Sequence, residues 1–410
     1  MNSNKNIPQL RFPEFTGEWE EKPLSSFLHE HKTKSDGKCE VHSVSVTKGV
    51  VNQVEYLGRS FAAADTSKYN LVKPNDIIYT KSPTGAFPYG IVKQNKNPYN
   101  VIVSPLYAVY SPINKYVGYI LDSYFESPER TNNYLSSLIQ KGAKNTINIS
   151  NDTFISKCMC LPSDPAEQQK IAECLADIDK LIAAQNEKVD ALKEKKKGMM
   201  QQMFPQKGET TPRLRFPGFT EEWVEKKMGE IGDTVSGLTY SPSNVSKDGL
   251  LVLRSSNIKN GVLCFDDCVY VQSIRKFNPV KANDILICVR NGSTSLIGKC
   301  ALIPHNLSAA FGAFMMVFRT KEWAFVFQLL QTESYREQIE QNLGARINSI
   351  NSEDFKMYKF FFPPTPAEQQ KIAECLSAMD DMIASESAKL DALKDHKKGL
   401  MQQLFPQPNK

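Results

Sequence analysis

Two long stretches of the chain carry apolar residues at alternating steps of four and three, which is the spacing of a coiled-coil seam. The apolar seam positions of the first stretch are Ile171, Leu175, Ile178, Ile182, Val189, Leu192, Met199 and Met203. Those of the second stretch are Ile372, Leu376, Met379, Ile383, Leu390, Leu393, Leu400 and Leu404. Each seam continues for about five heptads, which is long for a helix packed on one globular core. The pattern predicts two long helices that pair with each other.

Each seam is interrupted by polar residues at matching places. The interruptions are Gln185, Lys196, Glu386 and Lys397. In an antiparallel pair Ile171 would meet Leu404, and no polar seam residue would lie opposite another. A helix of this length spans roughly 55 Å at 1.5 Å per residue. We therefore predict an antiparallel coiled coil, and the alternative is that each helix packs only on its own domain.

The segments before each long helix, about 23–160 and 227–362, predict domains of mixed α/β (α+β) type. Short β-rich runs are bounded by Gly, Pro, Asn and Lys. These runs are Glu40–Val46, Asp76–Thr80, Val101–Tyr110, Leu250–Leu253, Asp284–Val289 and Phe314–Phe318. Helical patterns follow them at Tyr119–Gln140 and Trp323–Asn342. Pro165 and Pro366 suit the first turn of the long helices, where a missing N–H costs nothing.

The chain is a repeat of one unit. Residues 8–22 (PQLRFPEFTGEWEEK) match residues 212–226 (PRLRFPGFTEEWVEK) at most positions. Residues 165–206 match residues 366–407, and both begin with Pro-Ala-Glu-Gln-Gln-Lys-Ile-Ala-Glu-Cys-Leu. Between these blocks the halves diverge, apart from a short echo of 73–78 in 281–286. Since matching parts must perform the same task twice, the repeat predicts a pseudo-two-fold architecture.

The repeat divides the chain into four segments. We predict a first variable domain at 1–160, a first spacer helix at 161–206, a second variable domain at 207–362 and a second spacer helix at 363–410. Residues 206–217 form a polar, proline-bearing linker.

Composition and charge are those of a soluble globular protein. Apolar residues make up 41% of the chain and charged residues 23%. The net charge of +5 and a pI near 8.5 permit a polyanionic partner without requiring one. We find neither a signal peptide nor an apolar stretch of membrane-spanning length, and the nine cysteines lack zinc-finger spacing. We therefore predict a cytoplasmic protein that binds no metal and no membrane.

Catalytic motifs are imperfect where they occur. Gly292 to Cys300 resembles a phosphate loop, but it has five residues between its glycines and Cys where Ser or Thr should bind the metal. Asn97-Pro98-Tyr99 resembles part of an adenine-methyltransferase motif but lacks its second proline. The sequence predicts no catalytic residues and no cofactor in this chain.

Polar, basic loops follow several of the β-rich runs in both halves. Arg, Lys, Asn, Ser and Thr are the side chains that reach base edges and phosphates, and Gly lets a loop approach a backbone closely. The candidate DNA-binding residues of the first half are Ser45, Thr47, Lys48, Lys81, Ser82, Thr84, Lys144 and Asn145. Those of the second half are Arg254, Ser255, Ser256, Asn257, Arg290, Asn291, Ser293, Thr294, Arg346 and Asn348. An ordinary surface loop is the better interpretation of each loop taken alone, and recurrence at comparable places in two diverged halves favours DNA contact.

The repeat closely resembles the specificity subunit of type I restriction–modification enzymes. The resemblance covers nearly the whole chain and rests on the duplicated helix starts, the duplicated Arg-Phe-Pro-x-Phe-Thr-x-Glu-Trp openings and the Asn-Asp-Ile-Ile/Leu runs at 75–78 and 283–286. It implies that each variable domain reads one half of a split double-stranded DNA target. It also implies that the paired helices set the gap and dock two methyltransferase subunits.

The resemblance further implies that the chemistry belongs to partners. The methyltransferase subunits would bind S-adenosylmethionine and methylate adenine, and motor/endonuclease subunits would use ATP and Mg. This chain, of bacterial or archaeal type, would be non-catalytic. The loops differ between halves, with Lys81-Ser-Pro in the first and Arg290-Asn-Gly in the second, so the two half-sites should differ. The alternatives are a stand-alone coiled-coil DNA-binding regulator and a chain that is itself a nuclease or methyltransferase.

Overall fold

The computed structural model describes residues 6–141, 147–272, 276–345 and 349–406. The chain divides into unit 1, which comprises Met1–Asn186 with Ala388–Lys410, and unit 2, which comprises Glu187–Ser387. Each unit therefore contains one variable domain and parts of both predicted long helices.

Unit 1 combines short strands with helices. Its strands are β1 Glu20–Pro23, β2 Leu28–Glu30, β3 His42–Ser45, β4 Gly49–Asn52, β5 Asn70–Val72, β6 Ile77–Thr80, β7 Ile91–Gln94, β8 Val101–Val103, β9 Ala108–Pro112, β10 Gln140–Lys141, β11 Ile147–Asn148 and β12 Cys158–Leu161. Its helices are α1 Gln53–Leu57, α2 Lys115–Tyr124, α3 Pro128–Ser136, α4 Asn151–Ser156 and the first part of α5 Pro165–Met203.

Unit 2 follows the same order. Its strands are β13 Val224–Lys227, β14 Gly232–Ser236, β15 Val245–Ser246, β16 Leu250–Leu253, β17 Ile258–Lys259, β18 Val262–Leu263, β19 Val269–Val271, β20 Ile285–Cys288, β21 Cys300–Leu302, β22 Ala309–Phe311, β23 Met315–Thr320 and β24 Lys359–Phe362. Its helices are α6 Met228–Ile231, α7 Trp323–Leu329, α8 Glu333–Ala345, α9 Ser352–Lys356 and the first part of α10 Pro366–Leu404. Helix α5 ends in unit 2, and α10 ends in unit 1.

Each unit contains a four-stranded antiparallel sheet, and the two sheets have the same strand order. The order is β2-β9-β6-β7 in unit 1 and β14-β23-β20-β21 in unit 2. Strands β6 and β20 are buried along their whole length, which explains their continuous apolar runs. A two-stranded ribbon, β1-β12 or β13-β24, joins the entry of each unit to the strand that precedes its long helix.

The short stretch that the two halves share, residues 73–78 and 281–286, forms the same turn in both units. Asn75 and Asn283 have positive φ values of 70° and 67°, a conformation that Asn tolerates better than most residues. The following carboxylates, Asp76 and Asp284, accept the backbone N–H groups of Lys73 at 2.7 Å and Lys281 at 2.8 Å. The same turn therefore leads into β6 in unit 1 and into β20 in unit 2.

The units differ in their second layer of strands. Unit 2 has a four-stranded sheet, β15-β19-β16-β22, whose β16 and β22 pair in parallel. Unit 1 instead has the hairpin β3-β4 and the antiparallel pair β5-β8. The sequence divergence between the halves falls on these strands and their loops.

Three predicted elements are divided in the structure, and one of them is Trp323–Asn342, which forms α7 and α8 with a break at 330–332. Tyr119–Gln140 is two helices, α2 and α3, because Ser127-Pro128 starts a new helix in which Ser127 caps the N–H of Arg130. Val101–Tyr110 is two strands, β8 and β9, separated at 104–107. The predicted fold class, mixed α/β domains each followed by a long helix, is confirmed.

Candidate nucleic-acid interface

The repeated opening of unit 1 is bonded to the start of α5. Arg11 donates two hydrogen bonds to the Glu167 carboxylate, at 2.7 Å from Nε and 2.8 Å from Nη2. The indole N–H of Trp19 donates to the same carboxylate at 3.1 Å. Glu167 is 1% exposed and Arg11 13%, so the pair is largely removed from water. Its hydrogen bonds to Glu167 raise the pKa of Arg11.

Unit 2 repeats this arrangement with the equivalent residues. Arg215 donates to both oxygens of Glu368 at 2.8 Å, and Trp223 donates to it at 3.4 Å. Glu368 is also 1% exposed. Within each unit, the opening block and the helix-start block, which are the most similar parts of the repeat, therefore contact each other.

The same opening also contacts the end of the other long helix. In unit 1 Leu10 donates its N–H to the carbonyl of Gln403, and Trp19 packs edge-on against Phe405 at 6.4 Å. In unit 2 Leu214 donates to Gln202, and Trp223 packs edge-on against Phe204 at 6.4 Å. We call this three-part contact of opening, helix start and helix end the joint.

Within each unit the long helices run antiparallel. In unit 1 Lys397 of α10 pairs with Asp179 of α5 at 2.7 Å. In unit 2 Lys196 of α5 pairs with Asp380 of α10 at 2.6 Å, and Lys188 pairs with Glu386 at 3.1 Å. Lys196 and Lys397 are equivalent in the repeat, as are Asp179 and Asp380, so the same pair occurs in both units.

The seam positions near the helix ends lie inside or at the edge of the cores. Ile171 and Leu404 belong to one hydrophobic cluster in unit 1, and Met203 and Ile372 to another in unit 2. Lys397 is 12% exposed and contacts Glu126 at 2.5 Å as well as Asp179. Burial opposes its charge, but the two carboxylates outweigh that effect and raise the pKa of Lys397.

The first candidate loop of unit 1 is the hairpin turn between β3 and β4. Thr47 and Lys48 are exposed at its tip. Ser45 is only 7% exposed, and its hydroxyl bonds to that of Tyr56 at 3.1 Å and accepts the N–H of Lys48. Ser45 therefore supports the turn, and its role as a contact residue stays a prediction.

The turn borders a groove of about 540 Å³ whose far wall is the start of α5. Lys93, Lys96 and Lys180 also line this groove. Lys96 is paired with Asp122 at 2.7 Å, so part of its positive charge is already balanced.

The second candidate loop of unit 1 connects β6 to β7. Lys81, Ser82 and Thr84 are all exposed. Thr84 and Phe87 exchange backbone hydrogen bonds of 3.0 and 2.9 Å around Gly85, whose φ of 52° favours glycine. Partial desolvation of its amine lowers the pKa of Lys81. Among the described residues, no hydrogen bond or ion pair joins this loop to the hairpin turn.

In unit 2 the two candidate loops meet. The Asn291 amide donates to the Ser255 hydroxyl at 3.0 Å, which joins the loop after β20 to the loop after β16. Ser256, Arg290, Ser293 and Thr294 are exposed beside this contact. The loops after β6 and β20 occupy equivalent positions in the two sheets, as their sequence placement predicted.

Asn257, a candidate contact residue, lies inside its loop. It is fully buried, its Oδ1 accepts the N–H of Arg254, and its Nδ2 donates to the carbonyls of Cys264 and Asp267. All three bonds stay within the loop. Asn257 thus holds the loop together. Lys144, Asn145, Arg346 and Asn348 lie outside the described residues.

Sequence reasoning missed several side chains at these surfaces. Phe314, which we predicted as the first residue of a strand, precedes β23 and is 58% exposed, with the Arg290 guanidinium 5.3 Å from its ring centre. In unit 1 Arg59 lies 4.5 Å from the ring of Phe61, which is 59% exposed. Each is an exposed aromatic next to an arginine, but single aromatics in loops carry no sequence signal of their own.

The phosphate-loop resemblance has no structural basis. The N–H groups of Leu296, Ile297, Gly298 and Lys299 donate to carbonyls of Ser293, Thr294, Cys288 and Leu296. A phosphate loop needs these groups free to point at the ligand. Within the described ranges, no group of three or more His, Cys, Asp or Glu residues is placed to hold a metal. None of the described helices combines the length and apolarity needed to cross a membrane.

Comparison with known proteins finds relatives that match parts of the chain. Residues 220–395 match the family described as type I restriction modification DNA specificity domain. The chain is 30% identical over 183 residues to the type I restriction enzyme EcoKI specificity subunit of Escherichia coli, covering 42% of this chain and 39% of that protein. It is 25% identical over 268 residues to the MjaVIII specificity subunit of Methanocaldococcus jannaschii, covering 62% and 63%.

The fold has a counterpart along nearly its whole length. The crystal structure of the type I restriction–modification system S subunit from M. genitalium covers 98% of this chain, and 100% of that chain is covered, with a TM-score of 0.61 and 15% identity. The alignments to the EcoKI subunit and to the StySPI subunit of Salmonella potsdam span 39% of those relatives. Residues 220–395 belong to the type I DNA specificity domain family. The predicted resemblance of the chain to type I specificity subunits is confirmed.

Proposed function

We propose that the chain is the DNA-specificity subunit of a type I restriction–modification complex. In this proposal each unit binds one half of a bipartite double-stranded DNA target. The observation that carries it is that each unit has a four-stranded sheet of the same order and its own copy of the joint, while the exposed loops of the two units differ. Proteins that use one scaffold twice with different loops are suited to reading two different sequences.

The loops of unit 2 support DNA contact most directly. Arg290, Ser293 and Thr294 are exposed next to a loop that carries Arg254 and Ser256. Arginine and hydroxyl side chains recognise phosphates and base edges. In unit 1 Thr47, Lys48, Lys81, Ser82 and Thr84 would have the corresponding role.

We further propose that α5 and α10 set the distance between the half-sites. Two binding modules gain affinity from a connection only when both half-sites fall at matching separation and helical phase. The Lys–Asp pair of each unit holds the helices at a defined register, which such a spacer needs.

In the proposed complex this chain catalyses no reaction. Two methyltransferase subunits would bind along the long helices and carry S-adenosylmethionine, and motor/endonuclease subunits would carry ATP and Mg. The complex would be cytoplasmic. The chain alone should neither methylate nor cleave DNA.

The test is genome-wide mapping of methylated adenine in a host without other modification systems. The chain is expressed with its cognate methyltransferase subunit. A single split motif, with two short unlike half-sites around a fixed gap, is the expected result. No methylation from a complex shown to assemble would reject this function and favour a stand-alone DNA-binding regulator.

A further inference from the structure

One loop of unit 2 is held more firmly than an ordinary surface loop. The fully buried Asn257 accepts the N–H of Arg254 at 2.9 Å and donates to the carbonyls of Cys264 at 2.9 Å and Asp267 at 3.1 Å. One amide thus ties together the two backbone segments that carry Arg254 and Asp267.

The side chains of these two residues are also joined. Nη2 of Arg254 donates to Oδ2 of Asp267 at 2.8 Å. Nε of Arg254 is buried and has no hydrogen-bond partner among the described residues. The Arg254 side chain is 35% exposed and that of Asp267 is 62% exposed, so the carboxylate holds the guanidinium from the solvent side and the guanidinium still reaches the surface.

The guanidinium faces a groove. Arg254, Ser255 and Ser256 line a cavity of about 510 Å³ together with Tyr240 and Phe314. The Ser255 hydroxyl accepts a hydrogen bond from the neighbouring candidate loop. A planar donor group therefore lies in a concave, partly aromatic surface at the place where the two candidate loops meet.

We infer that Arg254 reads a guanine in the half-site of unit 2 and that Asp267 is the residue that positions it. This inference rests on the proposed function. Arginine pairs bidentately with the O6 and N7 acceptors of guanine, and this is the commonest specific contact in the major groove. A guanidinium already held by a carboxylate loses less rotamer entropy when it binds, so it discriminates between bases more sharply.

A plain surface ion pair explains the geometry less well. Exposed ion pairs contribute little to stability, and they need no buried amide to hold both of their backbones. Lys259 and Asp266 in the same loop form such a plain pair at 2.7 Å, with side chains 58% and 76% exposed. Asp266→Asn is therefore a matched control, since it removes the same charge one residue away from Asp267.

The experiment measures binding of the full chain, assembled with its methyltransferase subunit, to duplexes carrying the mapped target. Each guanine of the unit 2 half-site is replaced in turn by adenine or by 7-deazaguanine, which lacks only the N7 acceptor. The wild-type complex should lose roughly 10- to 100-fold in affinity at one guanine. Arg254→Ala and Asp267→Asn should bind that substituted duplex and the original about equally.

Further variants separate reading from folding and from phosphate contact. Arg254→Lys keeps the charge but loses the planar fork, so it should also lose discrimination at that guanine while its salt dependence stays close to wild type. Asp266→Asn should discriminate like wild type, and the thermal midpoints of all variants should agree.

Two results would overturn the inference in different ways. If Arg254→Ala and Asp267→Asn discriminate at every guanine as the wild type does, Arg254 is not the reader although the proposed function stands. If the wild-type complex itself prefers no split target, the proposed function fails, and this inference fails with it.

Discussion

At the scale of single residues, the joint depends on a buried carboxylate in each unit. Glu167 receives three charge-assisted or indole hydrogen bonds while almost fully removed from water, and Glu368 receives the same set. Hydrogen bonds to a charged group are stronger than neutral ones, and removing one partner leaves the other buried and unpaired. These contacts explain why the opening and helix-start blocks are the most similar parts of the repeat.

Glu167→Gln should destabilise unit 1 strongly. The amide keeps the shape of the side chain but leaves the Arg11 charge uncompensated, so we expect a loss of about 2–4 kcal/mol in the free energy of unfolding. Urea unfolding followed by circular dichroism measures it. The control is Glu14→Gln, since Glu14 pairs with Lys170 at an exposed site of the same joint and this variant should lower the free energy of unfolding far less. Equal effects from both variants would contradict a special role for the buried pair.

The seam lysine gives a second prediction. Lys397→Met removes the partner of Asp179 and Glu126, and we expect the free energy of unfolding to fall by about 1–3 kcal/mol. Lys394→Met is the matched control, because Lys394 only approaches exposed Asp391 at 3.9 Å on the same helix.

The pH dependence of the Lys397 contribution follows from the sign of its shift. The folded pKa of Lys397 lies above the ordinary 10.5, so the pair should contribute fully below pH 10.5 and lose its contribution as the pH rises through the folded value. The stability difference between wild type and Lys397→Met should therefore shrink in strong alkali. A difference that grows with pH would contradict this assignment.

At the scale of elements, the periodic parts of the sequence predicted the structure well. The step pattern identified α5 and α10, and the short apolar runs identified β6 and β20, because burial on a regular helix or strand leaves a regular pattern. The split of Tyr119–Gln140 into α2 and α3 was missed, although Ser127-Pro128 is a helix-start signal. Loop contacts such as Arg254–Asp267 and the burial of Asn257 depend on tertiary packing, which no local pattern reports.

The long helices give a prediction about spacing. Inserting one heptad at equivalent places in both, after Ile182 and after Ile383, keeps the seam pattern and leaves both Lys–Asp pairs intact. Seven residues add about 10 Å, so the unread gap of the DNA target should grow by roughly three base pairs. Methylated-adenine mapping measures the gap, and an insertion of the heptad in α5 alone is the control that should abolish methylation. An unchanged gap in the double insertion would contradict the spacer role.

At the scale of the whole molecule, each unit is completed by a helix segment from the other half of the sequence. The end of α10 packs into the core of unit 1 beside Trp19, and the end of α5 packs into the core of unit 2 beside Trp223. The hydrogen bonds of the joint lie within the repeated blocks, and from the variable segments Tyr124 packs on Phe405 and Phe325 packs on Trp223. One architecture therefore recurs in both units while their exposed loops differ, which is what the proposed function needs.

The most direct test of this account is an exchange of one variable domain. Residues 23–160 are replaced by the corresponding segment of another specificity subunit of known target. The repeated blocks 8–22 and 165–206 are kept. Methylated adenine is then mapped with the methyltransferase partner. We predict that one half-site changes to that of the donor while the other half-site and the gap stay the same. If both half-sites changed, or if neither did, the two units would not be independent readers and the account would be wrong.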